Sequence, residues 1–307
     1  MKKWFVCLVI LVLLGYGFTK FKTSMADFGD MSDIKNEMPP SAGNAAAPNQ
    51  SGSASRDDRE SAGDGFSIKV TPDMIYQGDL LLVNKDYPVP EGLHPEDEAV
   101  SLVKNPELID GFGVLDNKIL LSPRLTDKFT SMVKAAGEEG INQFLISSGY
   151  RDEQKQDELY REMGSKLALP AGFSEHNLGL SLDIGSSQAE MNQAPEGRWL
   201  KDNAWKYGFI LRYPDDKTAI TGIQFEPWHF RYVGLPHSAI IHENGLVLEE
   251  YLDYLKERQK VSTTVQGQSY KVFYYPVSKN QTIQVPAQGK YEVSGDNMGG
   301  IIVTVRE

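Results

Sequence analysis

The sequence predicts an α+β fold, with one main domain of short strands and helices followed by a small C-terminal all-β appendage. Apolar runs at 80–83 and 144–146 have the length of strands. Around them, capping residues and glycines mark the ends of several helices. From residue 261 the pattern changes to alternating β-branched runs separated by turn residues, which is typical of strands.

Composition narrows the possible functions before any motif is considered. The chain has 307 residues and a net charge of −11, and it contains no basic block. Binding to nucleic acid through its phosphates is therefore not expected. The single cysteine, Cys7, lies inside the first apolar run, so we expect no disulfide or thiolate chemistry in the rest of the chain.

The N-terminal 22 residues predict a membrane anchor. Two lysines precede an apolar run at 4–18, which is slightly shorter than the roughly 20 residues that span a bilayer. We favour an uncleaved single-pass anchor in the cytoplasmic membrane over a cleaved signal peptide. Residues 23–65 are rich in Gly, Ser, Ala, Pro and Asp, and predict a flexible linker. The folded part would then lie on the extracytoplasmic side.

Folded sequence is expected in two parts, a main domain at 66–258 and a β module at 259–307. Ser122 followed by Pro123 is a strong helix start, because serine caps the free backbone N–H groups and proline fits the first turn. That helix is expected to stop at Gly137 or Gly140. Four further helices are predicted, at 152–164, 198–207, 236–245 and 246–258.

The segment from His176 to Asp183 carries the first two candidate metal ligands. Residues 180–184 alternate between apolar and polar, which predicts a strand with Asp183 on the cleft-facing side. His176 would lie roughly 23 Å from Asp183 on a straight strand, so the chain must fold back, and Gly179 permits such a bend. Alternatively, His176 is a surface histidine and Asp183 a capping residue.

The segment from Glu226 to His229 supplies a second imidazole and a second carboxylate. Pro227 argues against a helix, so we expect a strand with a bulge that turns both side chains toward the cleft. Two histidines and one aspartate make a three-ligand zinc site with an open position, and the glutamate could accept a proton there. The alternative is a buried Glu–His hydrogen-bonded pair.

These motifs resemble a known family. SxHxxGxxxD followed by ExWH is similar to the signature of the zinc D-alanyl-D-alanine peptidases of the VanY/VanX and hedgehog-like group, and the sequences at 148–151 and 203–209 look close to VanY-type D,D-carboxypeptidases. Ser181 departs from the alanine usual in the wider family. The resemblance implies an antiparallel sheet with flanking helices that form a zinc-containing cleft.

The resemblance also implies roles for individual residues. His176, Asp183 and His229 would hold one Zn²⁺ per chain, and Glu226 would be the catalytic general base.

Arg151 would act in catalysis and bind substrate, with Gln156 and Ser174 completing the substrate contacts. Arg151 follows the apolar run at 144–146, where a strand end can deliver a side chain to a cleft. A surface ion pair with one of the two acidic residues after it is the alternative.

The function that follows is a zinc D,D-carboxypeptidase. It would remove the terminal D-Ala from peptidoglycan precursor stem peptides ending in D-Ala-D-Ala, and so contribute to glycopeptide (vancomycin) resistance. An L,D-carboxypeptidase or a D,D-dipeptidase of the same family is an alternative within enzymes. A non-catalytic, zinc-stabilised module that binds wall peptides is the alternative outside them.

Overall fold

The computed structural model describes residues 65–165 and 168–307, which belong to one compact unit. The predicted anchor (1–22) lies outside the described residues, as does the predicted linker apart from its last residue. No helix within the described ranges is long and apolar enough to cross a membrane.

Helices and strands alternate up to residue 258, after which only strands follow. The helices are α1 (Pro123–Glu138), α2 (Glu153–Met163), α3 (Glu175–Leu178), α4 (Pro195–Asn203), α5 (Thr218–Thr221), α6 (His237–Glu243) and α7 (Leu248–Arg258). The strands are β1 (Phe66–Val70), β2 (Val100–Ser101), β3 (Gly113–Val114), β4 (Leu120–Leu121), β5 (Phe144–Ser148), β6 (Ser181–Ser186), β7 (Phe209–Leu211), β8 (His229–Tyr232), β9 (Lys260–Val265), β10 (Gln268–Pro276), β11 (Gln281–Val285), β12 (Lys290–Gly295) and β13 (Gly300–Arg306).

A five-stranded sheet carries the site. Its strand order is β3-β5-β6-β8-β7, and all neighbours are antiparallel except β3 and β5. Apolar residues of α1 and α4 pack on one face of this sheet and form the main core. The Ser122 hydroxyl accepts from the Leu125 N–H (3.2 Å), as the capping pattern predicts. The prediction of an antiparallel sheet with flanking helices is confirmed, with one parallel edge pair.

The C-terminal strands form a four-stranded antiparallel sheet, in the order β12-β13-β10-β9. Strand β1, which lies inside the range predicted for the main domain, pairs instead with β11 of the C-terminal module. Residues of α7 pack against β10 and β13 in a second core. The module is therefore joined to the rest of the fold through its first strand and through a shared core.

The prediction of a strand at 80–83 is wrong. Leu80–Val83 is buried but irregular, and it does not pair with any strand in a sheet. The Leu80 N–H donates to the Ser294 hydroxyl (2.9 Å), and the Leu82 N–H donates to the Asp296 carbonyl (3.2 Å). Because the C-terminal module satisfies these groups, an apolar run of strand length can be buried without entering a sheet.

The predicted helices are present with shifted ends. The helix expected at 198–207 begins earlier, at Pro195, and its last residues, Ala204–Tyr207, form a 3₁₀ turn. Helix α2 begins after its capping residue Asp152, as predicted, and ends at Gly164.

Candidate metal centre

The one-turn helix α3 carries His176. The Ser174 hydroxyl caps this helix by accepting from the His176 N–H (3.3 Å). Gly179 ends it with φ +74°, a left-handed conformation that side chains rarely adopt. The chain therefore folds back as the sequence predicted. The His176 Nδ1 atom lies 2.8 Å from the Gly149 carbonyl and donates to it, which leaves Nε2 facing Asp183.

Asp183 lies at the centre of the sheet, on β6. It pairs in register with Ser148 of β5 on one side and with His229 of β8 on the other. Its Oδ1 atom is 3.4 Å from His176 Nε2 and 3.2 Å from His229 Nδ1. The two imidazoles are nearly perpendicular, with ring centroids 4.9 Å apart.

These three side chains fit a zinc ion. One ligand atom from each of His176, Asp183 and His229 lies within 4.8 Å of the other two. Asp183 Oδ1 is buried and has no hydrogen-bond partner. Leaving a buried carboxylate oxygen unpaired is costly, and a cation between it and two ring nitrogens would remove that cost. Two nitrogens and one carboxylate oxygen are also the donor set of catalytic zinc sites.

Glu226 stands beside this cluster, but not in the way the sequence predicted. The prediction of a bulged strand at Pro227 is wrong, because β8 begins only at His229. Residues 226–229 form a turn in which the His229 N–H donates to the Glu226 carbonyl (3.2 Å). Proline is favoured at the second position of such a turn, where its fixed φ is required. The turn brings Glu226 Oε2 to 3.7 Å from His229 Nδ1.

The pKa of the Glu226 carboxyl is raised above its ordinary value. Burial raises its pKa to about 7, with His229 and Arg151 opposing the shift and Asp183 adding to it. A group whose pKa lies near neutral pH can both accept and return a proton.

The carboxylates around His229 stabilise the protonated form of its ring. Burial acts to lower the pKa of His229, but its contacts with the Asp183 and Glu175 carboxylates and the negative charges of Asp183 and Glu226 outweigh burial and raise that pKa to about 9.

Arg151 is held at the edge of the cluster by two side chains. Its Nη1 donates to Gln156 Oε1 (2.7 Å) and its Nη2 donates to the Ser148 hydroxyl (3.0 Å). Nη2 also lies 3.8 Å from Asp183 Oδ2. Burial lowers the pKa of Arg151, yet a guanidinium remains charged at any working pH.

The other two predicted substrate contacts are placed differently. Gln156 is 1% exposed, and besides accepting from Arg151 it donates to the Leu169 carbonyl (2.6 Å). Ser174 is buried and caps α3. Gln156 therefore orients Arg151, and Ser174 caps the helix that carries His176. Direct contact of either side chain with substrate stays a prediction.

Sequence reasoning missed a buried charged group behind His229. It consists of Glu175, Arg212 and Arg231, and the Glu175 carboxylate contacts both guanidinium groups and the His229 ring. One signal was available for Arg231. It lies two residues after His229, and residues two apart on a strand share a face.

Comparisons with known proteins identify the family of this chain. A model of the VanY D-alanyl-D-alanine carboxypeptidase family matches residues 118–235, a range that contains every predicted site residue. A D-alanyl-D-alanine carboxypeptidase of Enterococcus faecium is 57% identical over 236 residues, which are 77% of this chain and 78% of that protein. The bifunctional D-Ala-D-Ala dipeptidase and D-Ala-D-Ala carboxypeptidase VanXYC of Enterococcus gallinarum is 36% identical over 195 residues, 58% of this chain and 95% of that protein.

Among solved structures, the vancomycin resistance D,D-dipeptidase VanXYg in complex with a D-Ala-D-Ala phosphinate analog superposes with a TM-score of 0.68 at 29% identity. The match covers 80% of this chain and 100% of that one.

Proposed function

Because the chain belongs to the VanY family of D-alanyl-D-alanine carboxypeptidases, we propose that it is a zinc D,D-carboxypeptidase. Its substrates are peptidoglycan precursor stem peptides ending in D-Ala-D-Ala, from which it removes the terminal D-alanine. One observation carries the proposal: His176, Asp183 and His229 converge on one point, with Glu226 Oε2 3.7 Å from His229 Nδ1.

His176, Asp183 and His229 would hold one Zn²⁺. A zinc ion supplies Lewis acidity, which makes both the scissile carbonyl and water more reactive. Glu226 takes the proton of the attacking water as the new C–O bond forms. It then delivers that proton to the nitrogen of the departing D-alanine as the C–N bond breaks.

Arg151 would bind the terminal carboxylate of the substrate or stabilise the oxyanion. Two of its nitrogens are oriented by Gln156 and Ser148, so the guanidinium is fixed before substrate arrives. A guanidinium pairs with a carboxylate through two parallel hydrogen bonds. Pre-orientation of this kind lowers the entropic cost of positioning the substrate.

A D,D-dipeptidase activity is the second candidate. VanXYC, which matches over 95% of its length, is named for both activities, and VanXYg is a D,D-dipeptidase. Both reactions cleave the same D-Ala-D-Ala bond and would use the same cluster.

The test measures D-alanine released by the full-length chain from three peptides: a stem pentapeptide ending in D-Ala-D-Ala, the corresponding tetrapeptide, and free D-Ala-D-Ala. The proposal predicts release from the pentapeptide that a chelator abolishes and zinc restores. Release from the tetrapeptide alone would indicate an L,D-carboxypeptidase. Binding of the pentapeptide without any release would indicate a wall-peptide binding module.

We also propose that residues 1–22 anchor the chain in the cytoplasmic membrane and that the catalytic unit acts on the extracytoplasmic side, where it contributes to vancomycin resistance. The apolar run at 4–18 between lysines supports this placement. The test is protease accessibility in spheroplasts. Digestion of the catalytic unit without lysis is expected, and protection until lysis would contradict the placement.

A further inference from the structure

Glu175 is a carboxylate inside the fold that the proposed reaction does not use. It lies on α3 next to His176, is 1% exposed, and is surrounded by hydrogen-bond donors. Its Oε1 atom accepts from Arg212 Nε (2.8 Å) and from Arg231 Nη1 (2.8 Å). Its Oε2 atom accepts from the Ser181 hydroxyl (3.0 Å) and lies 3.2 Å from His229 Nε2.

The contact with His229 determines which ring nitrogen carries the proton. An ionised carboxylate can only accept hydrogen bonds, so Nε2 of His229 must donate to it. In the neutral ring Nδ1 then has a free lone pair, and Nδ1 is the atom that faces Asp183 Oδ1 at 3.2 Å. The hydrogen bond to the far nitrogen of a metal-ligating histidine fixes both its tautomer and its orientation.

The two arginines keep Glu175 ionised and in place. Arg212 also pairs with Glu249 of α7, through Nη1 (2.9 Å) and Nη2 (2.7 Å). Arg231 Nη2 donates to the carbonyls of Asp79 and Leu81, both at 2.9 Å. Two guanidinium groups thus face two carboxylates in the protein interior, which compensates the charges.

We propose that Glu175 is a positioning residue that holds His229 as the Nε2–H tautomer and so presents Nδ1 to the metal. This inference rests on the metal centre of the proposed function, and it adds a residue that acts on that centre through His229.

Glu175→Gln tests the inference because the surroundings dictate the orientation of the new amide. The two guanidinium groups require an oxygen at the Oε1 position, so the amide NH₂ takes the Oε2 position and faces His229. That NH₂ can only donate, which makes His229 Nε2 the acceptor and moves the ring proton to Nδ1. We expect zinc affinity of the full-length chain, measured by chelator competition, to fall by about 10- to 100-fold.

The matched control is Glu249→Gln. This substitution removes the other carboxylate that pairs with Arg212, but it leaves the Glu175–His229 contact intact. We expect its zinc affinity to stay within about threefold of wild type, even if both variants unfold at lower temperature. Equal affinity in wild type and Glu175→Gln, or equal losses in both variants, would overturn the positioning role.

A second measurement needs no variant, and so remains decisive if Glu175→Gln does not fold. Long-range ¹H–¹⁵N NMR of the zinc-loaded wild-type chain labelled at histidine reports the tautomer of each imidazole. We expect His229 to carry its proton on Nε2. A proton on Nδ1 would overturn the inference. A wild-type chain that binds no zinc would instead overturn the metal centre of the proposed function.

Discussion

Glu226 and His229 are three residues apart and have different tasks in the proposed reaction, one moving a proton and the other holding metal. The turn at Pro227 brings them together, and burial raises the pKa of Glu226 to about 7. His229 is additionally contacted by Glu175 from behind. The proposed chemistry therefore depends both on a local turn and on a contact between residues that are 54 positions apart in the sequence.

The first prediction concerns Glu226→Gln. The amide cannot accept a proton, so kcat should fall by about 10²- to 10⁴-fold. Zinc affinity by chelator competition should stay within about threefold of wild type, because the three predicted ligands are untouched. Near-normal turnover in this variant would contradict the assignment of Glu226 as general base.

The second prediction concerns Arg151→Lys. Lysine keeps the charge but loses the planar fork that pairs with a carboxylate. We expect kcat/KM for the pentapeptide to fall at least about tenfold. As the matched comparison, wild type should discriminate strongly against a pentapeptide with an amidated C-terminus, and the variant should discriminate less. Equal discrimination by both proteins would show that Arg151 does not bind the terminal carboxylate.

At the scale of elements, α6, α7 and β13 meet at His237. Its Nδ1 atom lies 2.6 Å from the Tyr251 hydroxyl, and its Nε2 atom lies 2.9 Å from the Thr304 hydroxyl. It therefore links the helices after the site to the C-terminal sheet. Burial lowers the pKa of His237 to about 3, so it is neutral in the folded protein at physiological pH.

The third prediction follows from the lowered pKa of His237. In the unfolded chain His237 takes a proton near pH 6.5, but in the folded protein only near pH 3. Between these values the unfolded state binds more protons, so His237 makes the protein less stable as pH falls, by about 1.4 kcal/mol per pH unit. Well above pH 6.5 both states have lost this proton, so His237 contributes no pH dependence there.

The measurement is the free energy of unfolding by denaturant between pH 4 and pH 6. His237→Gln should reduce its slope by about 1.4 kcal/mol per pH unit. An unchanged slope in His237→Gln would contradict the account of this contact.

Several elements were predictable because their signals are local. Ser122 with Pro123, and Asp152 with Gly164, fix helix ends through hydrogen bonds within a few residues. Alternation at 180–184 similarly identified β6. Leu80–Val83 was mispredicted because the partners of its Leu80 and Leu82 N–H groups lie more than 200 residues away, at Ser294 and Asp296.

The site was predictable in part for the same reason. The predicted metal ligands are recognisable as residue types at family spacing, and Gly179 indicated the fold-back of His176. The turn at Pro227 was missed because proline excludes a helix without choosing between a bulge and a turn. The buried charged group behind His229 was missed because Arg212 and Arg231, the partners of Glu175, come from two other parts of the chain.

At the scale of the whole molecule, the C-terminal module is part of the catalytic unit's structure. Strand β1 pairs with β11, and α7 packs on β10 and β13. Asn297, between β12 and β13, donates to the carbonyls of Leu82 (2.9 Å) and Pro88 (2.8 Å). Leu81 and Val83 of that same irregular segment pack against Leu178 and Leu180, which flank the fold-back at Gly179.

The fourth prediction is that a stop after Arg258 prevents stable folding. It would leave β1 without its partner and expose buried α7 side chains such as Tyr251 and Leu252. We expect loss of cooperative thermal unfolding. The control is removal of residues 1–58, which contain the predicted anchor and most of the predicted linker, and this variant should unfold at the wild-type temperature. A cooperative transition in the chain ending at Arg258 would show that the module is an independent appendage.

The central claim is that one zinc ion, held by His176, Asp183 and His229, is required for release of D-alanine. The most direct measurement is titration of the metal-depleted full-length chain with zinc while D-alanine release from a pentapeptide ending in D-Ala-D-Ala is followed. The account predicts no release without metal, and a linear rise in rate that breaks at one zinc per chain. Full activity in the metal-depleted chain, or no release at any zinc concentration, would contradict it.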